Sequence, residues 1–141
     1  MDSEDPVNVT HQQGNPDQWK PWDHLYQSDK WNKPANADDM DCHLMVQCME
    51  AWFIADRQAL VEFFGQDFNE NKLPGVARSI ESIQKQELYQ ALAGATRNCK
   101  KGQYGKGAHS FNLLAKINPQ TVTTASPWAK RLIDTLNRRK K

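Results

Sequence analysis

His43-Leu44-Met45-Val46-Gln47-Cys48-Met49-Glu50-Ala51-Trp52-Phe53-Ile54-Ala55-Asp56 changes periodicity in its middle. Its first six residues form a short, near-continuous apolar run, the pattern of a strand buried on both faces. From Met49 the apolar positions recur at helical spacing, through Trp52 and Phe53 to Leu60, Phe63 and Phe64, and Gly65 supplies a stop. Asp56 is placed to cap a second helical segment within that run. Glu50 follows the strand directly, so it projects at the C-terminal edge, where open α/β sheets bind ligands. A simpler reading of Glu50 is a carboxylate favoured by a helix N-terminus, and of Asp56 an N-cap; both remain open at this point.

Downstream the chain reads as helix. Leu88, Leu92 and Ala95 mark an amphipathic helix over 84–98 with Ser82 as a possible N-cap, and Phe111, Leu113, Leu114 and Ile117 mark another. Asn118-Pro119 and Ser126-Pro127 each put a capping side chain before a proline suited to the first turn. Two terminal helices are therefore expected, the last reaching about Asn137 before a basic tail at 138–141. Upstream, Pro6, Gly14, Pro16, Pro21 and Pro34 break residues 6–41 into a long acidic and aromatic loop with room for one short helix over 22–28. Trp19, Trp22, Tyr26 and Trp31 argue that this loop is docked, because large apolar rings lower their free energy on a surface.

Charge is divided between the halves. Residues 1–70 carry 14 Asp+Glu against 4 Lys+Arg, and residues 71–141 carry 3 against 14, so a formal net charge of +1 conceals halves of −10 and +11. Such a chain suggests either an acidic site for cations beside a basic surface for a polyanion, or two faces that neutralise one another. The length of 141 residues suits one domain. No apolar run approaches the roughly 20 residues that span a bilayer, and the acidic start Met1-Asp2-Ser3-Glu4-Asp5 is unlike a signal peptide. A soluble cytoplasmic protein with no membrane association is expected. Cys42, Cys48 and Cys99 are odd in number and form no CxxC pair, which speaks against a disulfide framework or a four-ligand zinc site.

Two further stretches bear on chemistry. Asp2, Glu4 and Asp5 form a carboxylate cluster of the kind that holds Mg²⁺ when a rigid backbone fixes its oxygens. Residues 100–110 carry three glycines and three lysines just before a helix, so backbone amides could converge on a phosphate, although the Gly-Lys-Ser/Thr ending of a Walker A loop is missing. With Arg97, residues Lys100, Lys101 and Lys106 are the candidate nucleic-acid contacts, against the plainer reading of a solvated basic loop. Lys106 and His109 are the side chains to test for a part in chemistry. A lone histidine such as His109, His24 or His43 is nevertheless more often structural than an acid or base.

Taken as an ordered series, Asp2-Ser3-Glu4-Asp5-Pro6-Val7, Trp22-Asp23-His24-Leu25, the block from His43 to Asp56, and Lys101-Gly102-Gln103-Tyr104-Gly105-Lys106-Gly107-Ala108-His109-Ser110-Phe111 resemble the bacterial domain of unknown function family 4276, considered distantly Toprim-like. The resemblance covers essentially the whole chain, and Glu50-Ala51-Trp52-Phe53-Ile54-Ala55-Asp56 is its most specific part. It implies an α/β fold, predominantly helical with one or two short strands, in which a glutamate and an Asp-x-Asp motif hold Mg²⁺ or Mn²⁺ for phosphodiester chemistry. Asp2 and Glu4 look like that second motif as Asp-x-Glu; Glu50 completes the metal set, with Asp5 or Asp56 accessory. In the resembled family earlier strands and a Gly-rich glutamate motif come before this point, so the chain resembles a C-terminal portion, and a partial, inactive domain is one expectation.

Two functions follow. The first is a Mg²⁺-dependent nuclease component of a bacterial phage-defence system, working with an ATPase partner, as the resemblance implies. The second is a non-catalytic module whose acidic, aromatic loop docks a protein partner or nucleic acid.

Overall fold

The computed structural model describes residues 1–140 and is built from seven α-helices: α1 (Pro21–Asp29), α2 (Glu50–Ala55), α3 (Arg57–Phe64), α4 (Lys85–Thr96), α5 (Lys106–Lys116), α6 (Pro119–Ala125) and α7 (Pro127–Arg139). Short 3-10 turns punctuate the connections. Of the termini predicted from capping chemistry, those at Asp56, Gly65, Asn118 and Ser126 are realised. Asp56 accepts from the Ala59 N–H at 3.2 Å and so separates α2 from α3, and Gly65, at φ 69°, ends α3 in a region that favours glycine. Asn118 caps α6 through the Gln120 N–H (2.9 Å) and Ser126 caps α7 through the Ala129 N–H (3.1 Å), each with proline in the first turn. Ser82 does not cap α4. It ends the 3-10 turn Ile80–Ser82 with its hydroxyl on the Ser79 carbonyl, and α4 starts at Lys85 without a side-chain cap.

The expected strand over 43–48 is corrected. Among the described residues there is no strand, only one parallel bridge between Asp2 and Met45. Met45 N–H donates to the Met1 carbonyl (2.7 Å), Ser3 N–H to the Met45 carbonyl (3.1 Å) and Glu4 N–H to the Gln47 carbonyl (2.7 Å). The apolar run is buried on both faces as its composition requires, but what covers it is helix and loop rather than a further strand. Cys42, Leu44 and Val46 pack with Val7, Trp19, Leu25 and Trp128, whereas Met45 and Cys48 face the larger core of α2 to α5 and the 73–83 segment. Burial on two sides is a demand that helices satisfy as well as sheets do, so periodicity alone could not decide it. The molecule is predominantly helical and the α/β expectation is not met.

Residues 6–41 are packed down through Trp19 and Trp22, whereas Tyr26 and Trp31, expected to dock as well, are exposed. Trp19 lies against Trp128 with ring centroids 4.7 Å apart, and Trp22 donates its indole N–H to the Asp38 carbonyl at 2.8 Å. Arg131 of α7, almost wholly buried, pins three points of the segment: Nε donates to the Pro16 carbonyl (2.8 Å), Nη1 to Cys42 (2.7 Å) and Nη2 to Asp39 (2.8 Å). Arg138 and Arg139 close the last turn of α7 on Asp17 and Asp41, each at 2.9 Å. The predicted basic tail is thus engaged at its first two residues, while Lys141 lies outside the described residues. No helix among the described residues is long and apolar enough to cross a membrane.

Candidate functional site

The Met1-to-Met45 pairing holds residues 1–4 against the ends of α2, α4 and α5, and beside them opens a cleft of about 1230 Å³. Asp2, Glu4, Lys85, Lys106, Trp31 and Phe111 are among its walls. Asp2 is fixed from both sides: one carboxylate oxygen accepts from the Met49 N–H at 2.8 Å, and the other lies 3.5 Å from Lys106 Nζ. Glu50 follows Met49 at the start of α2 and is fully buried. Its Oε2 accepts from the Tyr104 hydroxyl at 2.7 Å, while Oε1 is buried with no partner.

Burial and neighbouring charge set the electrostatics of the group. Burial pushes the Asp2 carboxyl above the usual range; Lys106 and the Met49 N–H oppose this, and the Glu50 charge adds to it. For Lys106 burial works downwards, yet the neighbouring Glu50 and Asp2 charges win and hold its ammonium above its ordinary value. Burial, and then the Glu50 charge, push the Cys48 thiol up to about 12, which leaves it inert as a nucleophile. Tyr104 is raised by burial first and then by its hydrogen bond to Glu50, so it stays a donor.

Of the sequence-derived candidates the structure pairs Asp2 with Lys106 and holds Asp2 on the N–H of Met49, the residue before Glu50, and it disperses the others. Glu4 lines the cleft but is ion-paired to Lys85, and Asp5 accepts from the Ser28 hydroxyl at 2.9 Å. Among the described residues no group of three or more His, Cys, Asp or Glu side chains is arranged to hold a metal, so the four-carboxylate set Asp2, Glu4, Asp5 and Glu50 is not assembled. Asp56 is spent on structure: besides capping α3 it accepts from the Asn118 N–H at 2.8 Å and ties α3 to the start of α6. His109 accepts from the Gly105 N–H through Nδ1 (3.0 Å), and its ring sits against Phe63, Phe64 and Tyr104, which makes it a support for the first turn of α5. Arg97, Lys100 and Lys101 are exposed and lie outside the cleft wall, with Lys101 over the Phe63 ring at 5.0 Å. Tyr104 and Lys85 were missed by the sequence reading. Tyr104 lies in the Gly/Lys-rich segment singled out for its lysines, and nothing local marks its hydroxyl as the partner of a glutamate 54 residues away.

Asp2 and Glu50 would leave most coordination positions of a Mg²⁺ ion to water and a substrate phosphate. They do not fit a closed all-protein cage. Neither a curated protein nor a solved structure matches the chain. A family model, described as a domain of unknown function (DUF4276), matches residues 1–137. With nearly the whole length matched and the Glu50-to-Asp56 block within it, the chain belongs to that family.

Proposed function

We propose that the chain is a Toprim-like, Mg²⁺-dependent nuclease component, acting on nucleic acid beside an ATPase partner in bacterial phage defence. The observation that carries this reading is the buried Glu50 carboxylate, one oxygen held by Tyr104 and the other without a hydrogen bond, one residue beyond Met49, whose N–H fixes Asp2 on the cleft wall beside Lys106. A buried carboxylate oxygen without a partner costs free energy, and such costs persist where a ligand relieves them. When bound, Mg²⁺ would polarise a phosphoryl oxygen and activate water. Asp2 and Glu50 would hold it, Tyr104 would keep Glu50 oriented, and Lys106 would meet a phosphate oxygen from its place on the cleft wall. Incubating the protein with single- and double-stranded DNA and RNA in Mg²⁺ or Mn²⁺ should give cleavage that Glu50→Gln and chelation both abolish. Cleavage that survives Glu50→Gln would remove the reading.

A second reading, a non-catalytic docking module, is favoured by the exposed Trp31 (49%) and Phe111 (78%) on the same cleft. Substituting both rings to alanine separates the two readings, because partner capture would be lost while Mg²⁺ binding at Asp2 and Glu50 would persist.

A further inference from the structure

We infer that the cleft beside residues 1–4 seats a short peptide segment of a partner protein, one that carries apolar side chains together with arginine or lysine. The inference rests on the docking reading above, names the partner's chemistry, and stands without the nuclease reading. Of the exposed large apolar side chains, Met1 (46%), Trp31 (49%) and Phe111 (78%) border this one cleft, with Met45 and Met49 also in its wall. Exposed apolar groups scattered singly need no explanation, but rings and thioethers gathered on one concave surface mark an interaction site. Both rings are presented by ordered backbone. Phe111 stands in the middle of α5, and Trp31 follows α1 across a left-handed Lys30 (φ 60°), with its N–H on the Leu25 carbonyl at 3.3 Å. Anchors fixed in this way lose little freedom when a partner covers them. At about 1230 Å³ the cleft exceeds the usual range of small-molecule sites, roughly 300–1,000 Å³, so a chain segment suits it better.

Charge selects the occupant. Four carboxylates, of Asp2, Glu4, Asp5 and Asp29, and two ammoniums, of Lys85 and Lys106, border the cleft, a formal balance of −2. Both ammoniums are already matched, Lys85 by Glu4 and Lys106 by Asp2. No ion pair among the described residues involves Asp5 or Asp29. Asp29 is moreover the last residue of α1, where the helix dipole disfavours an anion, and the adjacent Lys30 turns its ammonium over the Tyr26 ring, 5.5 Å from its centre. The bases of a nucleic acid could stack on Trp31 and Phe111, but its phosphates would meet this excess of negative charge, and Arg97, Lys100 and Lys101 lie outside the cleft. A cationic, apolar segment meets both the rings and the two unmatched acids. Arginine suits it best, because its guanidinium forks onto carboxylates and stacks on aromatic faces.

Fluorescence anisotropy tests this with four end-labelled probes: a short peptide of alternating leucine and arginine pairs, the same peptide with glutamate for arginine, the same with serine for leucine, and oligothymidylate. The wild type should bind the leucine–arginine peptide about tenfold more tightly than any other probe. Trp31→Ala combined with Phe111→Ala should weaken that binding on the order of tenfold, because such rings are the usual anchors of an interface. Asp29→Lys should weaken it several-fold and improve binding of the glutamate peptide, since reversing the charge exchanges attraction for repulsion. All three side chains are exposed, so these substitutions leave the core intact. Failure of the leucine–arginine peptide to bind, equal or tighter binding of any other probe, or an unchanged preference in Asp29→Lys overturns the inference. If the paired alanine variant then loses whichever probe binds best, the docking reading stands; if it matches the wild type with every probe, both fall. A measurement on the unaltered protein fixes the place. The leucine–arginine peptide, which carries no lysine, should slow acetylation of Lys106 on the cleft wall and leave Lys101 outside it unchanged, as read by peptide mass spectrometry. Equal protection of the two, or none, rejects the cleft.

Discussion

Two places where the basic half of the chain meets the acidic half can be set side by side: Arg131 on the loop of residues 6–41, and Glu50 under the cleft. Both put a charged group almost entirely out of water. At Arg131 the planar fork is consumed, with donors on the carbonyls of Pro16, Asp39 and Cys42 and the guanidinium 5.3 Å from the Trp128 ring. At Glu50 one oxygen accepts from Tyr104, the other makes no hydrogen bond of good geometry, and the Cys48 thiol lies against the carboxyl. A closed set of hydrogen bonds holds a fold; an unmatched buried acceptor is a cost to stability. The remaining cross-half pairs, Glu4 with Lys85, Asp2 with Lys106, Asp17 with Arg138 and Asp41 with Arg139, show that much of the charge division is neutralised within the molecule.

The comparison breaks most readily at Arg131. Arg131→Met keeps the stem and removes the fork, leaving at least three loop carbonyls without their donor, so urea unfolding should register a loss of about 3 kcal/mol. A loss near zero would mean that the loop is held by its tryptophans alone. Glu50→Gln should behave in the opposite sense. The amide oxygen can still accept from Tyr104 and the buried carboxylate is gone, so unfolding stability should be unchanged or higher by about 1 kcal/mol. A clear destabilisation would show that the Glu50 charge is structural.

The smallest expected effect is in the pH dependence of Asp2. Its folded pKa is raised above the ordinary 3.8, chiefly by burial, so the folded protein takes up a proton more readily than the unfolded chain. Stability linked to this group therefore falls as pH rises from 3.8 through the raised value and is constant above it. Comparing Asp2→Asn with the wild type by urea unfolding should show the variant's advantage shrinking as pH is lowered through that window. An advantage that grows on acidification would mean that the carboxylate is held by its contacts to Lys106 and Met49 rather than penalised by burial.

Much of the helical plan was legible because it rests on local chemistry. Asp56, Asn118 and Ser126 cap helices through their own backbone neighbours, and Pro119 and Pro127 suit the first turn wherever they occur. The docked aromatic loop was legible too, since Trp19 and Trp22 have few low-energy alternatives to burial. The error at 43–48 has a different origin. That run specifies burial on two faces, and whether strands or helices provide the cover depends on segments far away in the chain.

The candidate site divides along the same line. Sequence by itself determined that Glu50 follows a buried apolar run, that Asp2 lies in an acidic cluster and that Lys106 opens a helix, because burial periodicity, charge and capping are properties of neighbouring residues. Only the tertiary structure decided that Asp2 meets Lys106 and Glu50 meets Tyr104, that Glu4 and Asp5 turn to Lys85 and Ser28, and that Asp56 and His109 serve helix ends. Those outcomes follow from contacts across as many as 104 positions, such as Asp2 with Lys106. Electrostatic energy depends on distance and on exclusion from water, and neither quantity exists until the chain has folded.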